Sequence, residues 1–286
     1  MMMFFKRMIT KYRWFLVVLA AWFLFTSFFT IQWAIAPIDL NQATAENIYV
    51  INLDRTPERH LPLKRQLDTL KLPFTRWSAV DGYLLTFHDD EGHTFTGRDV
   101  KEGRADFVMG KIYQGKGAGV FRYQPHRWLL TAGELGCALS HRQVWKHLSD
   151  HKIPWAIVFE DDAQLDTSSF RESLSDVLSH LPTDWDVVYL FYPLNNPKKG
   201  TLKILGNNTL KKFKRDRRGI AFTHAYMISC KGAQKLLAYE DPIRRESDGT
   251  LGKAINEGVI EAYIYPFPMV TVTHAPSTLD TMRRGR

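Results

Sequence analysis

The apolar residues of this chain form short continuous runs that are separated by polar turns and by helical patterns. Strand candidates of this kind lie at residues 48–53, 155–159, 185–192 and 223–228, and the more mixed segment 74–80 is a further candidate. A continuous apolar run of this length is typical of a strand that is covered on both faces of a sheet. Because helical patterns lie between the runs, the sequence predicts an α/β sandwich with a mixed, largely parallel sheet. Ligands of such folds gather at the carboxyl ends of the strands.

Helix starts are marked by capping residues. Thr131 and Glu134 have the spacing of a capping box, and the helix that they begin is expected to extend to about residue 150. Three-and-four spacing places His141 on the apolar face of that helix, where it is either a core histidine or part of a site. Ser229 is expected to cap a helix over residues 232–239. Pro62 is expected to kink or shorten the first helix of the domain.

The longest apolar segment lies near the N-terminus. Residues 14–36 carry no charged side chain, and at about 1.5 Å per residue a helix of this length can cross a hydrocarbon core of about 30 Å. Residues 1–13 form a basic tail, so the positive-inside bias predicts a cytosolic N-terminus and a catalytic domain on the lumenal or extracytoplasmic side. A cleaved signal peptide is the alternative, although the run exceeds a typical signal core. The sequence therefore predicts a single-pass membrane protein with an N-terminal transmembrane helix.

The chain as a whole has the composition of a globular protein. It is 45% hydrophobic and 24% charged over 286 residues, which excludes the disordered and collagenous classes. We expect a tether at residues 37–46 and one catalytic domain at residues 47–286, in which residues 83–128 form an insertion or flap. The net charge of +8 arises largely from the basic, turn-rich segment 198–218, which is interpreted as a solvated loop or as a contact for anions.

Three consecutive carboxylates follow the apolar run at residues 155–159: Glu160, Asp161 and Asp162. Such a cluster at the end of a buried strand is costly unless a cation or several donors compensate it. Oxygen ligands suit Mn²⁺ or Mg²⁺, which usually keep positions for substrate phosphates. Because side chains diverge at a strand-end turn, one or two of the three are expected to bind directly. The alternative is an acidic helix N-terminus that faces solvent.

Several motifs, in a fixed order, resemble glycosyltransferase family 25. They are IYVINLDRTPERH, AVDG, LTAGELGCALSHRQVW, AIVFEDDAQL, WDVVYL and THAYMISCKGAQKLL, followed by the late aspartate Asp248. The resemblance spans roughly residues 47–280. That family includes lipooligosaccharide and procollagen galactosyltransferases.

The resemblance implies a GT-A-like, nucleotide-sugar-binding sandwich that uses a UDP-sugar, with UDP-galactose as the expected donor, and that inverts the anomeric carbon. The expected acceptor is a glycan, a lipooligosaccharide or a glycoprotein, and no nucleic acid is expected as a partner. The residues implied in nucleotide-sugar binding are Asn52, Asp54, Arg55, Asp81, Ser140, His141 and Tyr226.

Inversion by direct displacement needs a base for the proton of the acceptor hydroxyl. The candidates are Asp248, which matches the late aspartate of the family, and Glu134, which the capping box can already engage. His274 is a candidate for completing the metal shell, as a late histidine does in many enzymes of this fold; a surface histidine is the alternative reading.

Two other classes of function compete with a transferase. A non-catalytic relative could keep the fold as an adhesion or glycan-binding module, although the intact acidic cluster argues against it. A membrane-bound phosphodiesterase would need further histidine ligands, and the histidines at positions 88, 93, 126 and 151 show no regular spacing.

Overall fold

The computed structural model describes residues 38–88, 93–101, 111–113, 120–122, 130–191, 202–204, 210–213, 222–266 and 269–273. The described residues from Asp39 onward belong to one compact unit, and a second unit covers Met1–Ile38, of which only Ile38 is described. Within the described part of the chain, no helix has the length and apolarity needed to cross a bilayer. The predicted single-pass localisation and membrane anchoring are therefore corrected, since no described helix supports them; residues 14–36 fall outside the described ranges.

Fourteen strands are described. They are β1 (Ile48–Asn52), β2 (Thr75–Ser78), β3 (Thr86–His88), β4 (Thr94–Thr96), β5 (Lys111–Tyr113), β6 (Val120–Arg122), β7 (Trp155–Glu160), β8 (Ala163–Leu165), β9 (Val187–Tyr189), β10 (Leu202–Ile204), β11 (Lys211–Phe213), β12 (Ala225–Ser229), β13 (Ala262–Ile264) and β14 (Val270–Val272). The described helices are α1 (Leu61–Thr69), α2 (Gly97–Lys101), α3 (Ala132–His151), α4 (Phe170–Ser179), α5 (Cys230–Tyr239) and α6 (Ser247–Asn256). Short 3₁₀ helices lie at Leu40–Gln42, Pro57–His60 and Gly82–Leu84.

The central sheet has eight strands in the order β10-β11-β13-β9-β12-β7-β1-β2. β1 pairs in parallel with both β2 and β7, and β13 pairs in parallel with β9. β11 and β12 run opposite to the other six strands of this sheet. The mixed, largely parallel α/β sheet expected from the sequence is therefore confirmed. Strands β1, β9 and β12 are buried along their whole length and β7 is buried up to its last residue, Glu160, as continuous apolar runs predict.

The helix starts follow the predicted caps in two cases. Thr131 and Glu134 form the capping box at the start of α3, and the hydroxyl of Ser229 accepts the amide of Gly232 at 2.9 Å at the start of α5. The helix that begins at Pro57 is a short 3₁₀ helix that ends at His60, so the first helix is shortened, as expected from Pro62. Pro62 itself lies in the first turn of α1, where proline leaves no hydrogen bond unmade and causes no kink.

Part of the predicted insertion carries its own small sheet. β4, β3, β5 and β6 pair in that order, and all three pairings are antiparallel. The 3₁₀ helix Gly82–Leu84 begins this region and packs against α3. The insertion is thus connected to the helix that borders the main sheet, directly beside the ends of β1 and β7.

Candidate functional site

A cavity of about 350 Å³ opens at one edge of the central sheet. Since β1 and β7 are parallel neighbours, with Ile51 opposite Glu160, their carboxyl ends meet at this edge. β12 runs antiparallel to β7, so the residues that precede β12 arrive at the same place. The amide of Glu160 donates to the carbonyl of His224 at 2.9 Å, which joins the two ends. The topology thus explains why residues far apart in sequence line one cavity.

Glu160 is held at the end of β7 by Thr223 and His141. Thr223 Oγ1 donates to Glu160 Oε1 at 2.6 Å, and His141 Nε2 lies 3.3 Å from the same oxygen. Burial raises the pKa of Glu160, but the hydrogen bond from His141, the electrostatic attraction of His224 and the hydrogen bond from Thr223 outweigh it and lower that pKa to about 2. Glu160 is therefore a carboxylate at neutral pH.

The carboxylate of Asp161 is engaged on both oxygens by protein donors. Asn52 Nδ2 donates to Oδ2 at 2.8 Å, while Arg59 donates to Oδ1 through Nε at 3.1 Å and through one terminal nitrogen at 3.0 Å. Arg59 is only 14% exposed and Asp161 only 11%. Asp161 therefore fastens the segment after β1 to the end of β7, and its charge is balanced by a guanidinium.

Among the three acidic residues, Asp162 has a buried carboxylate oxygen without a hydrogen-bond partner in the described part of the chain. Its Oδ1 is buried and accepts no hydrogen bond from the described residues, while Oδ2 lies 3.8 Å from His224 Nε2 and 3.9 Å from Arg59. Burial and, next, the charge of Glu160 raise the pKa of Asp162. A buried carboxylate oxygen that has no donor is costly unless a ligand compensates it.

The donor set around Asp162 fits a divalent cation. One ligand atom from each of Glu160, Asp162 and His224 lies within 4.8 Å of the other two. Two carboxylates and one imidazole suit Mn²⁺, and the carboxylates alone suit Mg²⁺. Cys137 and His141 form a second such group with Glu160, but burial raises the pKa of the Cys137 thiol. A thiol that stays protonated is a poor ligand.

His141 is held from behind by a buried chain of polar groups. Trp145 Nε1 donates to the hydroxyl of Tyr226 at 2.9 Å, and that hydroxyl lies 2.9 Å from His141 Nδ1. His141, Trp145 and Tyr226 are all fully buried. These hydrogen-bonded side chains fix the imidazole so that its Nε2 faces Glu160. In many metal sites a residue behind the metal ligand orients that ligand in the same way.

The segment 79–83 forms another part of the cavity wall. Ser140 Oγ accepts the amide of Val80 at 2.8 Å and thereby ties this segment to α3. A Cβ on Gly136 would lie only 2.6 Å from the carbonyl oxygen of Val80, so glycine is required for the close approach. The segment carries Asp81, which pairs with Arg55 Nε at 2.8 Å.

The two candidate bases occupy different local environments. Asp248 lies in the first turn of α6; its Oδ1 accepts the amide of Gly249 at 2.7 Å and its Oδ2 accepts the amide of Phe222 at 3.2 Å. Glu134 accepts the amide of Thr131 at 2.8 Å within the capping box. Both line the cavity.

Most of the predicted site residues meet in this cavity. Those that line it are Asn52, Arg55, Asp81, Glu134, Ser140, His141, Glu160, Asp161, Asp162 and Asp248. Asp54 does not line it and instead accepts hydrogen bonds from Arg76 and Ser78. Tyr226 lies behind His141 in the core rather than at the cavity wall. His274 lies outside the described residues.

Several lining residues were not singled out from the sequence, among them Arg59, Phe222 and His224. Arg59 and His224 stand inside the quoted motifs DRTPERH and THAYMIS, so the signal was present. The sequence does not show that β12 runs antiparallel to β7. Because it does, His224, which precedes β12, lies beside the acidic cluster, and the residues that follow β12 lie at the other end of the sheet.

Comparison with known proteins identifies the family. A model of glycosyltransferase family 25, described as an LPS biosynthesis protein family, matches residues 45–251. One similar protein is inactive glycosyltransferase 25 family member 3 of Homo sapiens, which is 28% identical; the match covers 70% of this chain and 30% of that protein. Another is procollagen galactosyltransferase 1 of Danio rerio, which is 26% identical; the match covers 82% of this chain and 35% of that protein. A glycosyltransferase 25 family member of Aedes aegypti is 29% identical over 70% of this chain and 29% of its own. The chain thus spans about a third of the length of these curated relatives. It belongs to glycosyltransferase family 25.

Proposed function

We propose that this chain is a cation-dependent glycosyltransferase that transfers galactose from UDP-galactose, with inversion, to a glycan, lipooligosaccharide or glycoprotein acceptor. The observation that carries the proposal is the unsatisfied Asp162 Oδ1 beside Glu160 and His224. This group lines the same cavity as Asp248. A cation site and a separate carboxylate in one cavity are what the transfer of an activated sugar requires.

Glu160, Asp162 and His224 would hold the cation. Bound there, Mn²⁺ or Mg²⁺ supplies positive charge beside the diphosphate of the donor. Arg59 lies next to this group and lines the cavity, so its guanidinium adds a second positive charge where the leaving UDP gains negative charge. Asp161 holds Arg59 in place. The cation role therefore falls on Asp162 more than on Asp161, with His224 as the imidazole ligand. The role expected for His274 stays a prediction, because His274 lies outside the described residues.

Asp248 is proposed as the base. In the reaction, the acceptor oxygen forms a bond to the anomeric carbon, while the bond from that carbon to the UDP oxygen breaks and its electron pair leaves with UDP. The proton of the acceptor hydroxyl passes to the Asp248 carboxylate. The backbone amides of Phe222 and Gly249 orient that carboxylate. Glu134 is the weaker candidate because the capping box engages it.

The experiment is donor turnover by the purified full-length chain, followed by the substitution Asp248→Asn. UDP-galactose is first compared with UDP-glucose and UDP-N-acetylglucosamine for release of UDP. We expect UDP-galactose to be preferred, and Asp248→Asn to lower transfer about 10² to 10⁴-fold while the donor KM stays nearly unchanged. Glu134→Gln is the matched control and should have a much smaller effect on turnover.

A second candidate function is a non-catalytic family member, because four of the similar proteins carry the word inactive in their names. On that alternative the chain binds a UDP-sugar but releases no UDP with any donor. If Asp248→Asn instead raises the donor KM and leaves turnover at saturation unchanged, Asp248 is a binding residue, and Glu134 becomes the candidate base.

A further inference from the structure

Phe222 exposes an aromatic ring at the wall of the cavity. It is 40% exposed, one of the few large apolar residues in the described part of the chain with that much exposure. Its ring lies edge-on to Phe191, with ring centroids 5.8 Å apart, and 5.7 Å from the ring of His224. Two neighbours thus support the ring from the protein side and leave the rest of it open. An exposed ring that is fixed in this way is a ready contact surface for a ligand.

The backbone of Phe222 adopts a conformation that a bulky residue rarely has. Its φ is 93°, which lies in the region that glycine occupies without cost and that a phenylalanine occupies only under strain. Such strain is concentrated at functional sites. A residue with no role for its ring would be replaced here by glycine at a gain in stability. The conformation therefore points to a role for the ring.

The strained residue is tied directly to the proposed base. The amide of Phe222 donates to Asp248 Oδ2 at 3.2 Å, while on the other side the ring borders His224. Phe222 thus contacts the proposed base through its backbone amide and His224, one of the proposed cation ligands, through its ring. Phe222 and Asp248 line the same cavity, so a molecule that presents its hydroxyl to Asp248 comes close to Phe222.

We propose that Phe222 is the platform of the acceptor site and that the acceptor is a pyranose sugar whose apolar face stacks on the ring; this inference rests on the proposed function. The face of a pyranose that carries axial C–H groups is apolar, whereas its rim carries hydroxyls. An aromatic ring beside a carboxylate matches both parts. A flexible hydroxyl-bearing peptide side chain has no comparable flat apolar face.

The test uses the purified full-length chain, UDP-galactose, and two classes of acceptor: a panel of methyl pyranosides and a hydroxyl-bearing collagen-like peptide. Phe222→Gly removes the ring, suits the positive φ and keeps the amide that donates to Asp248. We expect the KM for the best pyranoside to rise about tenfold, with a smaller change in kcat and in the donor KM. Phe222→Trp should restore much of the pyranoside affinity. Leu61→Ala, which truncates an equally exposed residue on α1, is the matched control.

The outcomes separate the inference from the proposed function. If the wild-type chain releases no UDP from any donor, the proposed function fails, and the inference falls with it. If donor turnover is normal but Phe222→Gly leaves the pyranoside KM unchanged, only the inference is overturned. Transfer to the peptide and to none of the pyranosides would also overturn it.

Discussion

Glu240 gives a stability prediction that can be worked out from the structure. Glu240 directly follows α5 as its C-cap residue and is only 3% exposed. Its Oε1 accepts a hydrogen bond from Thr250 Oγ1 of α6 at 3.0 Å. Its Oε2 is buried and has no hydrogen-bond partner among the described residues. Burial raises the pKa of Glu240 to about 8, against the opposing effects of Arg142 and of the Thr250 hydrogen bond. The folded protein therefore keeps this carboxyl protonated at neutral pH.

The sign of the effect follows from linkage. Between the ordinary pKa of 4.5 and about 8, the unfolded chain has lost this proton while the folded chain retains it. Unfolding then releases a proton, so rising pH favours unfolding across this interval. At about 1.36 kcal/mol per pH unit, the stability lost between the two pKa values is about 5 kcal/mol at most. The loss is small near pH 5 and complete above about pH 8.

Glu240→Gln tests this reasoning because it keeps the shape and the acceptor for Thr250 but removes the titration. Urea unfolding of both proteins should give similar midpoints near pH 5 and a clearly higher midpoint for the glutamine variant near pH 8. Glu257, which forms an exposed ion pair with Lys253, offers a control. Glu257→Gln should shift the urea midpoint little at either pH. Parallel pH profiles for wild type and Glu240→Gln would show that the Glu240 carboxyl is not held neutral.

Two further substitutions test how the site is supported. Gly136→Ala should push a methyl group into the carbonyl of Val80 and lower the free energy of unfolding by about 1–3 kcal/mol, measured by urea denaturation; an unchanged midpoint would contradict the close approach. Tyr226→Phe removes the hydroxyl that holds His141 and should lower kcat more than it raises the donor KM. Tyr239→Phe, at a tyrosine whose hydroxyl donates to Glu257 and which does not line the cavity, should leave both unchanged. Equal effects of the two tyrosine substitutions would argue against a positioning role.

The apolar runs predicted the central strands well because burial on both faces leaves an uninterrupted pattern. Strands β1 and β7 lie where the runs at 48–53 and 155–159 place them. The capping box at Thr131 was equally readable, because its hydrogen bonds are local. These features depend on neighbours in sequence, so the sequence contains the necessary information.

The roles of the three acidic residues depend on partners that are distant in sequence, so they could not be predicted from the sequence. Nothing in the sequence shows that Arg59 turns toward Asp161 and leaves Asp162 unsatisfied, because this depends on how the helical turn after β1 packs against β7. The sequence pattern at residues 223–228 likewise does not show in which direction strand β12 runs in the sheet. Only the antiparallel placement of β12 brings His224 beside the cluster.

The most direct test of the account is the cation dependence of UDP-galactose turnover in wild type, Asp162→Asn and Asp161→Asn. Wild-type turnover should vanish in excess chelator and return with Mn²⁺ or Mg²⁺. Asp162→Asn should lose about 10³-fold in rate and should also weaken Mn²⁺ binding, measured by electron paramagnetic resonance of the free ion. Asp161→Asn should retain Mn²⁺ binding, because Asp161 contacts Asn52 and Arg59. Undiminished turnover in excess chelator, or a wild-type rate in Asp162→Asn, would contradict the proposed cation site.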